Sequence, residues 1–450
     1  MAGVKGQNLP EFQSGLSSIA HRWNVSGTYT QVIPRFVSTA SDGVHEVREF
    51  LRPFYPTSRE MYHQIFLKGY QWPLDASKLA GGSSLIDLLV YRETMEQGRR
   101  VFLDYRSYPP DFRFQELPEE SREYLRRSGV EHVSTPFEAL EIMNPMAISM
   151  YREHGIDLAT EPLEIALCVQ HNNGGLAADH WWESGNVSGL FPIGEVSGTH
   201  GIRRPGGSAL NSGQVGALRA AQRIAWYLSR DRNGRSGFVW DKSVSERTCI
   251  DLERWLSRGE SSPYDAESEQ SEIRERMSRV NPFRAEDALY GALEESRAQW
   301  DRIRRNGMRG SPEDVLWTES LCMSQKVYLS AILYSVRSGA GSRGSSPVIA
   351  SPSKNPASEF TVGNPAMEPF IAHADLPRWR FVPGDPELEE SVLETWPLSA
   401  CPESNGGGTT EEETHRWVRR RPIPRSDLWF EEVWRRQRQR ENVGREGESL

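Results

Sequence analysis

Residues 171–221 read HNNGGLAADHWWESGNVSGLFPIGEVSGTHGIRRPGGSALNSGQVGALRAA, and both the fold and the chemistry turn on this stretch. It begins where an apolar run, LEIALCVQH (Leu163 to His171), ends; that run reads as a strand. GLFPIGE (Gly189 to Glu195) reads as a second strand. Beyond it, from Asn211 to about Ser229, apolar residues fall at Val215, Leu218, Ala221, Ala225 and Leu228, the spacing of one helix face.

Chemistry-bearing residues sit at the joints between these elements. His171 stands at a strand end before Gly174 and Gly175; a single His there is more often structural than functional. Glu195 follows a strand and Gly194, where a carboxylate can accept both hydroxyls of a ribose, although a lone strand-end Glu is commonly just solvated. Arg203 and Arg204, after His200-Gly201, can form a bidentate carboxylate clamp or a solvated basic turn. Gly206-Gly207-Ser208-Ala209-Leu210 leads into the helix. It offers close backbone approach and a helix N-terminus whose unpaired N–H groups favour negative charge. On its own, that loop is more commonly an ordinary glycine turn.

Composition narrows the class. A chain of 450 residues, 37% hydrophobic and 26% charged, has room for two or three domains. Its net charge of −9 gives no global attraction to nucleic acid or an anionic membrane. Cys168, Cys249, Cys322 and Cys401 are scattered without CxxC spacing, which fits a reduced cytoplasmic setting better than a disulfide framework or zinc site. No apolar run is long enough to span a membrane, and MAGVKGQNLPEF has no apolar signal core. The Asn24 and Asn186 N-x-S triplets therefore read as chance matches. No Ser-His-Asp spacing, P-loop or HExxH is present.

Along the chain, the residues around Thr28 to Ile33 read as a strand stopped by Pro34. Val101 to Pro109 reads as a buried strand, and Pro118–Gly129 and Pro145–Gly155 as helices. Further helices are expected over about 244–258, 267–278 and 283–306, and another opens at Ser311-Pro312-Glu313 and fades at Gly339. Residues 339–366 are Gly/Ser/Pro-rich and read as a flexible linker. A β-like WRFVP, an acidic Gly-rich loop (402–414) and an amphipathic helix (about 426–441) complete the chain. Its C-terminal arginines alternate with acids and read as solvated or paired, not as an RNA surface. His180-Trp181-Trp182 reads equally as a pocket wall or as packing.

The order of the motifs is more specific than any one of them. His171, Gly174 and Gly175, then Gly194 and Glu195, then His200, Gly201, Arg204, Gly206, Gly207 and Leu210 together resemble the C-terminal flavin-binding segment of the fumarate reductase/succinate dehydrogenase flavoprotein family, which includes L-aspartate oxidase. The resemblance continues more faintly upstream and in all covers about residues 60–230. It implies an α/β fold with an α+β capping domain. Residues 1–40 and 161–230 would be the C-terminal part of a Rossmann-like FAD-binding domain, with the capping domain inserted at 41–160. A helical region (231–338), the linker and a small appendage (367–450) would follow.

The resemblance also implies roles. Glu195 would bind the adenosine ribose of FAD, and the Ser208–Leu210 backbone would meet the flavin pyrimidine edge. His171, His200 and Arg204 would grip a substrate carboxylate, with hydride exchanged at flavin N5. An Arg of the capping domain would donate the proton, with Arg48, Arg52 and Arg35 as candidates by approximate distance. Asn172 and Asn173, where the family has an aromatic residue or Thr and then Met, and Arg203, where it has Asn, leave the substrate open.

The family's opening strand–GxGxxG–helix unit is not found in residues 1–40. The only match, Gly339-Ala340-Gly341-Ser342-Arg343-Gly344, lies between a helix and the linker and reads as a decoy. The expectation is a flavoprotein lacking roughly 150–250 residues. A second polypeptide would then supply that half, or the gene product is split or truncated. The alternative is a degenerate fragment without independent catalysis, acting within a complex.

Overall fold

Strand β5 (Leu163–Asn172) is the axis of the sheet that carries the site. The sheet runs β2 (Phe12–Ser18), β5, β4 (Arg100–Asp104), β3 (Arg35–Thr39), with every neighbour antiparallel. Leu16, Val101, Leu103, Leu163 and Ile165 are buried in it, as β-branched and large aliphatic side chains on a pleated surface should be. A second sheet has the order β10 (Thr414–Arg419), β9 (Ser391–Trp396), β1 (Gly6–Gln7), β6 (Gly175–Leu176). A two-stranded ladder joins β7 (Phe360–Thr361) to β8 (Arg380–Phe381). This computed structural model describes residues 3–79, 82–230, 242–350, 360–361, 379–396 and 413–420. The chain divides into units Met1–Val418 and Arg419–Leu450, and the fold described here is that of the first.

Helices α1 (Thr28–Gln31), α2 (Ser58–Lys68), α3 (Ser84–Tyr91), α4 (Glu119–Arg127), α5 (Pro136–Met143) and α6 (Pro145–Glu153) belong with the β2–β5–β4–β3 sheet. They share one hydrophobic core with it, centred on Phe66, Leu88, Tyr105, Leu140 and Tyr151. After the site come α7 (Ser208–Arg230), α8 (Lys242–Gly259), α9 (Ala266–Val280), α10 (Glu286–Asn306) and α11 (Pro312–Arg337). Leu289, Leu293, Leu329 and Ile332 pack there with Phe12 of β2, joining this helical layer to the sheet. Side-chain caps fix where several helices start. Thr57, Thr135, Asn144, Asp265 and Ser311 accept from the backbone N–H three residues on, each cap contributing about 1 kcal/mol.

Four sequence expectations are corrected. Thr28–Gln31 is a helical turn, not part of a strand, because Tyr29, Thr30 and Gln31 are buried and the Tyr29 carbonyl accepts from the buried Tyr105 hydroxyl at 2.9 Å. Gly189–Glu195 is not a strand either. Only the 3-10 turn Gly194–Val196 forms, since this segment pairs with no strand. β2, whose sequence FQSGLSS has no apolar alternation, was not expected and is fully buried.

The fourth concerns residues 340–348, which are buried turns, not linker. Gly341 (φ 65°) and Gly344 (φ 52°) let their backbones touch Pro383 and Ile202, and a Cβ at Gly344 would stand 2.5 Å from the Ile202 carbonyl. The loop at 402–412, Cys401 and the helix expected over 426–441 lie outside the described residues.

Candidate functional site

The site forms where β2 and β5 run side by side and then leave for the second sheet. Gln13 pairs with His171 across the ladder, and a register shift between Gln13 and Ser14 interrupts the regular pairing there. The glycine pair that follows is required by backbone crowding. A Cβ on Gly174 would meet the Asn8 carbonyl oxygen at 2.1 Å, and one on Gly175 the Val196 carbonyl oxygen at 2.3 Å. These glycines thus pack the 194–198 turn against the end of β5, which brings Glu195 and His200 up to His171.

His171 is buried, and its Nδ1 lies 3.0 Å from Asn173 Oδ1. Its Nε2 lies 2.6 Å from Glu195 Oε1, off the hydrogen-bonding direction. His200 packs edge-on to His171 with ring centroids 4.9 Å apart. Neither nitrogen of His200 has a hydrogen-bond partner among the described residues. Burial holds both imidazoles below the ordinary histidine value. Glu195 and Asn173 pull His171 back up, the charge on Arg204 adds to the lowering of both rings, and His171 further lowers His200. Two neutral rings at neutral pH is the consequence.

Arg204 is half-buried. Its Nε donates to Gln13 Oε1 at 2.9 Å and its Nη1 to the Pro205 carbonyl at 3.2 Å. No carboxylate lies within ion-pair distance of it among the described residues, and burial lowers its pKa, with the more distant Glu195 opposing. Arg203, by contrast, is paired with Asp75 at 3.4 Å and Glu389 at 3.3 Å. Arg203, Arg204, Gln13, Asn173, Lys78 and Ser345 are among the walls of a cleft of about 50 Å³. A larger cavity of about 440 Å³ opens beside Gly174, Gly175 and Glu195, floored by Met323, Val327 and Tyr328 of α11.

The structure thus brings His171, His200, Arg204 and Glu195 together. It places Glu195 against His171 and at the wall of the larger cavity. Gly206 and Gly207, just before α7, have nothing within 4 Å of where a Cβ would stand, and Gly207 has φ of 77°. The Ser208–Leu210 backbone therefore begins a 23-residue helix at an open approach, with Leu210 77% exposed.

The proton-donor candidates are placed differently. Arg48 pairs with Glu93 at 3.0 Å, Arg52 with Asp111 at 2.7 Å, and Arg35 with Glu49 at 3.2 Å. All of these partners lie in residues 49–111, and no contact joins the three arginines to the His171 cluster among the described residues. Sequence reasoning missed Gln13. Its only signal was a glutamine in an unrecognised strand, and that strand shows no periodicity.

No model of a known protein family matches the chain. Individual relatives do. The A subunit of the CoM/CoB fumarate reductase of Methanothermobacter marburgensis is 38% identical over 86 residues, 19% of this chain and 16% of that one. Over those residues the chain is similar to a fumarate reductase flavoprotein subunit. An uncharacterised FAD-dependent oxidoreductase of Methanocaldococcus jannaschii is 26% identical over 170 residues, 37% of this chain and 26% of that one.

The likeness of fold extends well beyond those segments. FrdA of Escherichia coli quinol fumarate reductase superposes with a TM-score of 0.56 at 12% identity, covering 95% of this chain and 61% of FrdA. The chain therefore spans less than two thirds of the relatives it matches. No helix among the described residues is long and apolar enough to cross a membrane.

Proposed function

We propose that this chain carries the substrate-binding side of an FAD-dependent oxidoreductase acting on a carboxylate-bearing substrate. One observation carries the reading: Arg204, a half-buried guanidinium without a carboxylate partner among the described residues, stands beside two imidazoles, one with both nitrogens unpartnered. Leaving such groups unpaired costs about 1–3 kcal/mol each, more for a charged one. A fold that keeps them together gains by it when an anionic ligand completes the set.

The residues fit the flavin-ring end of FAD. The open glycine approach and the α7 N-terminus would hold the electron-rich pyrimidine edge, and Glu195, at the cavity mouth, would meet the ribose. When bound, FAD would supply hydride exchange at N5. The chain's own groups do the rest. Arg204 offers parallel N–H donors to a carboxylate, and His171, steadied by Asn173, orients it. The Arg204 cation and the imidazole N–H donors hold the charge that develops next to the carboxylate without solvent rearrangement. His200, neutral and with neither nitrogen hydrogen-bonded among the described residues, has one ring nitrogen that can accept a proton; it is our candidate for the proton-carrying group in place of Arg35, Arg48 or Arg52.

A second reading is favoured by α7. Leu210, Leu218, Ile224 and Leu228 fall on one face of this helix and are 77%, 52%, 42% and 70% exposed. Such a face suits a second α/β half, supplied by another polypeptide, over a catalytically silent chain within a complex. Purified chain mixed with FAD and passed through gel filtration decides between them. Flavin absorption that travels with the protein, with reductive or oxidative turnover lost in Arg204→Ala, supports the enzyme. Colourless, folded protein supports the second reading.

A further inference from the structure

Gln13 stands out among the buried polar groups around the cleft. Its side chain is 1% exposed, yet its Nε2 has no hydrogen-bond partner among the described residues. The Oε1 of the same amide accepts from Arg204 Nε at 2.9 Å, which fixes which end of the amide carries the N–H groups. Because Gln13 pairs with His171 across β2 and β5, and the register breaks immediately after it, its side chain reaches the small cleft between Asn173 and Arg204. That cleft, about 50 Å³, has room for a group the size of a carboxylate and not for a whole nucleotide.

We propose that Gln13 and Arg204 together form a carboxylate subsite, in which the Gln13 Nε2 donates to one ligand oxygen while its Oε1 holds the Arg204 guanidinium in place for the other. This rests on the carboxylate-binding reading above and adds a residue that the His–Gly–Arg motif does not contain. A buried amide with one end satisfied and the other idle is costly in a purely structural role, since an apolar side chain of the same shape fills the space without an unmade bond. With the ligand bound, both ends are used. Gln13 is then a ligand-contacting residue that also positions Arg204.

The test uses the full chain, with and without added FAD, and titrates fumarate calorimetrically against wild type, Arg204→Ala, Gln13→Glu and Gln13→Met. Gln13→Glu keeps the acceptor for Arg204 but removes the donor. Its carboxylate would also pair with Arg204 and repel an anion, so fumarate binding is expected to fall at least ~10-fold; unchanged binding would place Gln13 away from the ligand. Gln13→Met, close in volume and uncharged, is expected to bind about 10-fold more weakly while melting within a few degrees of wild type. It keeps the test valid should the buried glutamate prevent folding. Binding lost in Arg204→Ala but unchanged in Gln13→Met or Gln13→Glu overturns the Gln13 assignment alone. Binding unaffected by Arg204→Ala, or no binding to wild type in either arm, overturns the carboxylate reading and this proposal with it.

Discussion

Two regions of this molecule treat arginine in opposite ways. Around β3, β4 and the turns beside them, Arg35, Arg48, Arg52, Arg99, Arg100 and Arg106 each pair with a carboxylate. At the end of β5, Arg204 finds only an amide and a carbonyl oxygen. The difference separates charge used to build from charge held ready. An ion-paired guanidinium has spent its donors on the fold, and its removal is felt in stability. On the proposed function, Arg204 is kept for an anion from outside, and its removal should be felt in binding.

The largest effect that would sharpen this contrast lies at the buried end of the building set. Lys68 of α2 and Asp87 of α3 are 1% and 0% exposed and form a close ion pair. Burial raises the Asp87 pKa even against the neighbouring Lys68 charge. Lys68→Met strands a carboxylate in the core and should cost about 3–5 kcal/mol in chemical denaturation. A loss below ~1 kcal/mol would show that the pair does not hold these helices together.

Next comes Arg204→Ala, for which fumarate affinity should fall roughly 30–100-fold, from the loss of two charge-assisted hydrogen bonds, with little change in melting temperature. If instead stability drops and affinity holds, Arg204 belongs with the builders.

How much of this contrast was legible in the sequence depended on periodicity. β5 and α7 announced themselves, one through a continuous apolar run and the other through helical spacing; the Ser311 cap marked a helix start through residue type alone. β2 was invisible because Ser14, Ser17 and Ser18 are buried within it, where Ser18 bonds to Tyr151 and the His21 carbonyl. With serines inside, no hydrophobic alternation survives in the sequence. The segment around Thr28–Ile33 misled for the converse reason. Its β propensity is real, but packing of Tyr29 and the Tyr105 hydrogen bond override it.

At the site, the motif gave His171, His200 and Arg204. Gln13 enters only through the pairing of distant strands. The GAGSRG stretch, read from the sequence as a decoy, packs Gly344 against Ile202, next to Arg203.

A smaller, pH-linked effect follows from the imidazoles. Both have pKa values lowered from 6.5, so they gain charge only as pH falls below that value. Each proton adds a cation to an anion site; fumarate affinity should therefore rise as pH drops from about 8 to about 5.5, by up to ~10-fold. A flat profile in that window would mean the rings do not face the ligand. The smallest expected effect is at Arg52, whose pair with Asp111 is partly exposed. Arg52→Ala should cost about 1 kcal/mol or less, because solvent screens the pair, and leave fumarate binding unchanged. A selective loss of turnover in that variant would restore it as a proton-donor candidate.

A crystal structure of the chain grown with fumarate and FAD is the most direct measurement. The account predicts a carboxylate within hydrogen-bond distance of Arg204 and of an imidazole of His171 or His200, seated in the cleft beside Gln13. Fumarate bound elsewhere, with Arg204 turned to solvent or paired with an acidic side chain, would contradict it.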